Sequence, residues 1–410
     1  MATLTVAPGA TASNAVFQTI SAAIAAAHSG DTINVDAGTY TNDFPQTINK
    51  SLTLQSLGGT VKLVANTPPP NGKGIIDEGG SGVNVTIQGF DISGATDGDN
   101  NGAGIRYEGG TLTLNNDTIH NNQDGILSNI DPNGSITINN STFTQNGAGD
   151  GQSHDIYIGD IANFTITNST ITAANVGHEI KSRAQNTTIT NNVIQDGSSG
   201  NSSYEIDLPN GGNALVANNV VQKGTNAQNP VAITFGEEGN VYGNSNLVVR
   251  NNTIVNNDSY PYTIAVRNST STTATISNNY LFGWNTVSSG SAQLSGNTVS
   301  GGSQSLSSLN GSKSSTQSST AAITPATTAS PASTATFLAS PSSAAAAPAS
   351  SSTSAVTNAA AAASPSTVAT PAQPSGGSLT TNNPTSSGGS LTGMMLGSSG
   401  QTVTSSLYPT

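Results

Sequence analysis

Asp155, Glu179 and Glu205 recur at steps of 24 and 26 residues, each directly before an isoleucine. Directly after the same isoleucines stand Tyr157, Lys181 and Asp207, and Arg183 lies two residues beyond Lys181. In a chain of 410 residues that is only 8% charged, this strip is the densest recurrence of titratable groups. Carboxylates stacked one coil apart, at ~4.8 Å, repel one another and call for a bridging cation or a basic partner. Asp207 with Glu179 or Glu205 could form the paired carboxylates of a glycosidase. Alternatively the strip is a ladder of unlike charges that only stabilises a stack, or a contact surface without catalysis. His154 and His178 occupy equivalent places two residues before their isoleucines, which predicts a stacked, hydrogen-bonded pair. No third ligand at zinc geometry accompanies them. With Asp155 and Arg106, they are the residues expected to touch a substrate.

A second cluster, Asp97-Gly-Asp99-Asn-Asn101-Gly102 with Glu108 in twelfth place, satisfies the calcium-loop pattern residue by residue. A Gly-rich loop precedes it and a strand follows, so it is no helix-loop-helix. Asp97, Asp99, Asn101 and Glu108 would hold Ca²⁺ as an isolated oxygen-rich loop, and a solvated turn explains the same residues without an ion.

The elements that position these groups follow from an internal repeat. An eight-residue frame recurs as Val85–Ile92, Leu112–Ile119, Ile136–Phe143, Phe164–Ile171, Thr187–Ile194, Ala214–Val221, Leu247–Ile254 and Ala274–Leu281. Its third position steps by 27, 24, 28, 23, 27, 33 and 27 residues. Apolar and polar residues alternate within each frame, as half-buried strands require. The fifth position is Gly89 and then Asn in every frame, which predicts a left-handed turn and a stacked amide ladder. A second column runs through Ile105, Ile126, Ile156, Ile180, Ile206, Ile233 and Ile264. Two or three short strands per coil make a parallel β-solenoid, and steps near 27 are too short for propeller blades.

Ahead of the frames, Asn14 as cap with Val16, Ile20, Ile24 and Ala27 at helical spacing predicts a capping helix. Phe17-Gln-Thr-Ile-Ser-Ala-Ala-Ile followed by Gly30-Asp-Thr-Ile-Asn-Val-Asp-Ala-Gly-Thr-Tyr40 resembles the N-terminal cap of the pectin-lyase-like right-handed β-helix superfamily. The resemblance covers roughly residues 1–300. It implies an all-β fold: a right-handed parallel β-helix with an N-terminal capping helix. It also implies a carbohydrate cleft. By that resemblance Lys181 or Arg183 would be the base that removes a uronate proton, with Asp155, Glu179 and Glu205 as cation or sugar ligands. Tyr157 would be proton donor or stacking platform. The superfamily also holds adhesins and non-catalytic scaffolds, and the Asp-Pro-His motif of the alginate epimerases is absent.

Composition narrows the partners. Ten basic against 22 acidic residues give a net charge of −12, which disfavours nucleic acid and anionic lipid. With no cysteine there is no disulfide scaffold or thiolate site. The apolar run Ala22–Ala27 is far short of the roughly 20 residues of a bilayer span. Residues 301–410 are Ser, Thr, Ala and Pro with Lys313 as the one charge, and are expected to form a disordered tail. The expectation is an extracellular or surface protein without an ordinary N-terminal signal peptide, bound to polysaccharide. The rival is a structural or adhesive rod. Trp284 and Tyr260-Pro261-Tyr262 suit either sugar stacking or packing. No helix follows the last frames, so that end invites end-to-end self-association.

Overall fold

The computed structural model describes residues 1–9, 16–45, 47–198 and 200–301, all within one compact unit. Asn14 and the tail from 302 onward lie outside the described residues. The chain winds into parallel coils, each pairing with the coils before and after it. In the coil around Ile156 a first strand, Ile156–Ile158, leads into a second, Ile161–Thr167, and a third, Thr170–Thr172. Stacking the coils gives three parallel sheets. In the second sheet Ile87, Leu114, Ile138, Ile166, Ile189, Val216, Val249 and Ile276 oppose one another in the expected order. In the first, Ile105, Ile126, Ile156, Ile180, Ile206 and Ile233 do the same. Only the last member differs: Val266, and not Ile264, opposes Ile233. These inward residues have no accessible surface and form one continuous core.

The corner between second and third sheets divides its work between two residues. The fifth-position residues Asn116, Asn140, Asn168, Asn191, Asn218, Asn251 and Asn278 have φ between 50° and 60°, the left-handed turn expected of them. The bonded ladder, however, is built by the sixth position. Ser169, Asn192, Asn219 and Asn252 donate their backbone N–H to Asn192, Asn219, Asn252 and Asn279 Oδ1 at 2.8–2.9 Å. In the left-handed turn the fifth side chain swings outward and the sixth points in. Buried amides must be paired there, and stacking pairs them.

The capping helix is shorter than the spacing predicts, Ile20–Ala26, and Thr19 is its N-cap, accepting from Ala22 N–H at 3.1 Å. Val16–Phe17 is a strand paired with Thr3–Val6. Asp43 accepts from the N–H of Ile20 at 2.6 Å, and Lys50 Nζ donates to the Ala27 carbonyl at 2.8 Å, so both helix ends are satisfied from outside the helix. Ile20, Ala23 and Ile24 cover the first coil. At the other end, Leu294 and Val299 occupy core positions yet are 49% and 53% exposed. Among the described residues no helix is long and apolar enough to cross a membrane.

Candidate functional site

The outward residues of the first sheet follow the pairing Arg106, Leu127, Tyr157, Lys181 and Asp207, coil by coil. Loops that enter this sheet from the third rise beside it and carry Lys73, Asp99, Asn101 and Gln152. Together with Arg106, Tyr157, Lys181 and His154 they line a groove of about 620 Å³. The first-sheet strip and the calcium-pattern loop, far apart in sequence, thus become floor and wall of one site.

Asp155, Glu179 and Glu205 are not on that floor. All three are fully buried. The strands begin at Ile156, Ile180 and Ile206, one residue later, so these carboxyls sit at the corner where the alternation has not started. There they turn inward, Asp155 and Glu179 to loop donors and Glu205 to a buried lysine. Asp155 Oδ1 accepts from Asn146 N–H at 3.0 Å and from its amide at 2.7 Å, and Glu179 Oε1 accepts from Ala174 N–H at 3.2 Å. Glu205 lies 3.4 Å from Lys223 Nζ, both wholly buried. Burial pushes Glu205 up to about 8 against the opposing pull of Lys223, so burial outweighs the ammonium. No substrate reaches these three, and the glycosidase pair they would form with Asp207 does not exist.

Lys181 and Arg183 are also occupied. Lys181 Nζ lies 3.4 Å from Asp207 and 3.1 Å from Glu238, and Arg183 Nη2 lies 2.7 Å from the other oxygen of Glu238. Arg183 Nε donates to the Tyr157 hydroxyl at 3.0 Å and Nη1 to Asn210 at 2.9 Å. Burial lifts Asp207 to about 6, with Lys181 opposing. Burial alone would raise Glu238, but the bonds from Arg183 and Lys181 prevail and hold it below the usual carboxylate range. Glu238 escaped the sequence reading because it stands on a loop. Its signal was the 33-residue step between Val216 and Val249, the longest of the series.

The histidines stack as expected. The His154 and His178 rings are 4.6 Å apart and 10° from parallel, and His178 N–H donates to His154 Nδ1 at 3.0 Å. Tyr157 extends the stack, its ring 5.7 Å from His154. Burial drives His154 down to about 3 and His178 well below its ordinary value, helped by neighbouring cations, so both rings are neutral planes. His178 is buried and lends its face to His154 rather than to a ligand.

Two of the calcium-pattern residues have other partners. Glu108 accepts from Lys73 Nζ at 2.5 Å, Arg106 Nε at 3.3 Å and Asn129 Nδ2 at 2.8 Å, which commits it to cations of the groove. Asp97 accepts from Gly98 N–H in its own turn. Among the described residues no three His, Asp or Glu side chains converge as a metal site. Trp284 is buried, donating to the Ile254 carbonyl at 3.1 Å, so packing explains it. Tyr260 and Tyr262 are exposed.

A family model described as a right handed beta helix region matches residues 124–321. The protein is a right-handed parallel β-helix. Among solved structures, this β-helix is similar to the pectate lyase Pel9A, at 18% identity over 75% of this chain and 82% of that one, with a TM-score of 0.43. It is similar to PfbA, a surface adhesin of Streptococcus pneumoniae, at 13% identity over 69% and 87%, with a TM-score of 0.43. A pectin methylesterase from Aspergillus niger matches at 14% identity over 75% and 92%, with a TM-score of 0.37. No curated protein matches the chain. At these identities the chemistry of the groove has to be read from its own side chains.

Proposed function

We propose that the β-helix binds an acidic polysaccharide along the first-sheet groove, as an extracellular or surface protein. One observation carries this reading. In a chain of net charge −12 with ten basic residues, three of them, Lys73, Arg106 and Lys181, line the same groove. Uronate carboxylates suit these cations, with the Arg106 guanidinium able to donate to one as a fork. The half-buried Tyr157 ring, backed by the buried His154, offers a flat surface for a pyranose ring.

Binding is better supported than cleavage. The carboxylates a glycosidase would use are inside the core, and Lys181 and Arg183 would have to leave Glu238 to reach a sugar proton. A spacer rod is the second reading, favoured by the ion pairs that tie Lys181 and Arg183 to Glu238. Affinity electrophoresis against polygalacturonate, alginate, dextran and xyloglucan separates the two, with appearance of unsaturated uronate followed by ultraviolet absorbance. Retardation by the acidic polymers alone, weakened in Lys73→Ala, supports the groove. Equal mobility in every gel supports the rod.

A further inference from the structure

The outer face of the second sheet carries an array that the groove does not use. Thr32, Thr53, Thr86, Thr113, Thr137, Thr165 and Thr188 oppose one another in unbroken register across seven successive coils. Each is half-buried, and each is backed by a core residue with no accessible surface, from Ile33 to Ile189. Two residues further along every strand runs a parallel file: Asn34, Gln55, Gln88, Asn115, Asn139, Thr167 and Thr190. Inter-coil bonds fix parts of it, Gln55 to Asn34 at 2.8 Å and Asn139 to Asn115 at 3.1 Å. None of the seven threonine hydroxyls in the first file bonds to another group among the described residues.

A hydroxyl offers one donor and two acceptor sites, so the Thr file presents a row of unspent hydrogen-bonding capacity. β-Branching leaves χ1 few choices, which fixes methyl and hydroxyl positions on a rigid backing. The array repeats at ~4.8 Å between coils and ~6.8 Å between alternate residues. Neither file carries a charge or an aromatic ring. That excludes most partners. Nucleic acid demands cations, protein hot spots are enriched in Trp, Tyr and Arg, and sugar rings are gripped by aromatic faces. What remains is a ligand that is itself a lattice of hydroxyl groups, and both periods lie close to the oxygen repeats of hexagonal ice.

We propose that this Thr-lined face binds ice. The preordered side chains lose little entropy on contact, which is what favours a crystal surface over liquid water. The test is nanolitre osmometry and crystal-shape microscopy on the full chain, beside Thr113→Lys/Thr165→Lys and Arg106→Ala, with circular dichroism checking the fold. The two lysines replace outward hydroxyls two coils apart, so they do not face each other. Faceted crystals and thermal hysteresis are expected for the unaltered chain and for Arg106→Ala, with loss of both in the double variant. Absence of hysteresis in the unaltered chain, or its survival in a folded double variant, would overturn the proposal. So would adsorption to crystalline cellulose or chitin that the double variant loses, without any effect on ice. The Arg106→Ala arm keeps failure here distinct from failure of the groove.

Discussion

The buried carboxyl groups of Asp155 and Glu179, one coil apart, interact electrostatically inside the corner that leads into the first sheet. Both are fully buried, and Asp155 Oδ2 and Glu179 Oε2 have no donor among the described residues. Two ionised carboxylates are acceptors only and repel, so the buried pair favours the state in which one of them keeps its proton. Burial, with Asp155 facing it, drives Glu179 well above its ordinary value, and burial raises Asp155 to about 7.

Stability should therefore rise as pH falls from 9 towards 6.5, the ordinary histidine value below which the buried neutral His154 and His178 begin to oppose it. Glu78, Asp117 and Glu205 are likewise raised by burial, each to about 8. These groups hold their protons in the folded chain at pH values where the unfolded chain, at 3.8 for Asp and 4.5 for Glu, has released them. Their contribution is complete below the unfolded values and disappears as pH climbs through about 7 to 8. Melting temperature against pH checks this; a profile flat from pH 6.5 to 9 contradicts it.

Glu179→Gln should make that profile less steep, leaving the share of Glu78, Asp117 and Glu205. The amide keeps an oxygen for Ala174 N–H and supplies a permanent donor to Asp155, replacing the proton. Its melting temperature should exceed that of the unaltered chain at pH 9 and match it near pH 5. A lower value at pH 9 argues against a retained proton.

Asn219→Ala should destabilise the β-helix by about 1–3 kcal/mol, the cost of leaving buried polar groups unpaired. Its Oδ1 accepts from Asn192 N–H at 2.8 Å and from the Asn192 amide at 3.1 Å, and its amide donates to the Ile189 carbonyl at 2.9 Å. Asn218→Ala, at the exposed turn position before it, tests something different, since φ is 59° there and alanine strains the backbone. Urea denaturation separates them: Asn218→Gly should recover most of the loss, whereas Asn219→Gly should not.

Lys181→Met should raise Asp207 above about 6, because burial already lifts that carboxyl and Lys181 is the charge that opposes it. Carboxyl NMR titration of Asp207 reads the shift. An unchanged midpoint would mean that Lys181 does not bear on Asp207.

What could be read in advance was whatever repeats. The alternation within frames and the recurring step gave the coils, their inward columns and the stacked histidines, since each coil must satisfy the next. What could not be read was the corner. Asp155, Glu179 and Glu205 sit one residue before their strands, where alternation assigns them outward but loop donors draw in the first two and Lys223 the third. The fifth and sixth ladder positions are adjacent in sequence, and only the left-handed turn decides which side chain enters. Glu238 and Lys73 stand on loops whose lengths follow no period, so their place in the site emerges only in three dimensions.

The groove is tested most directly by calorimetric titration of one uronate oligosaccharide and its carboxyl-reduced counterpart into the full chain and into Arg106→Ala. The account predicts binding of the uronate to the unaltered chain, at least tenfold weaker binding to Arg106→Ala, a difference of about 1.4 kcal/mol, and little binding of the reduced sugar to either. Equal affinity for both sugars, or an Arg106→Ala chain that binds the uronate as well as the original, would contradict it.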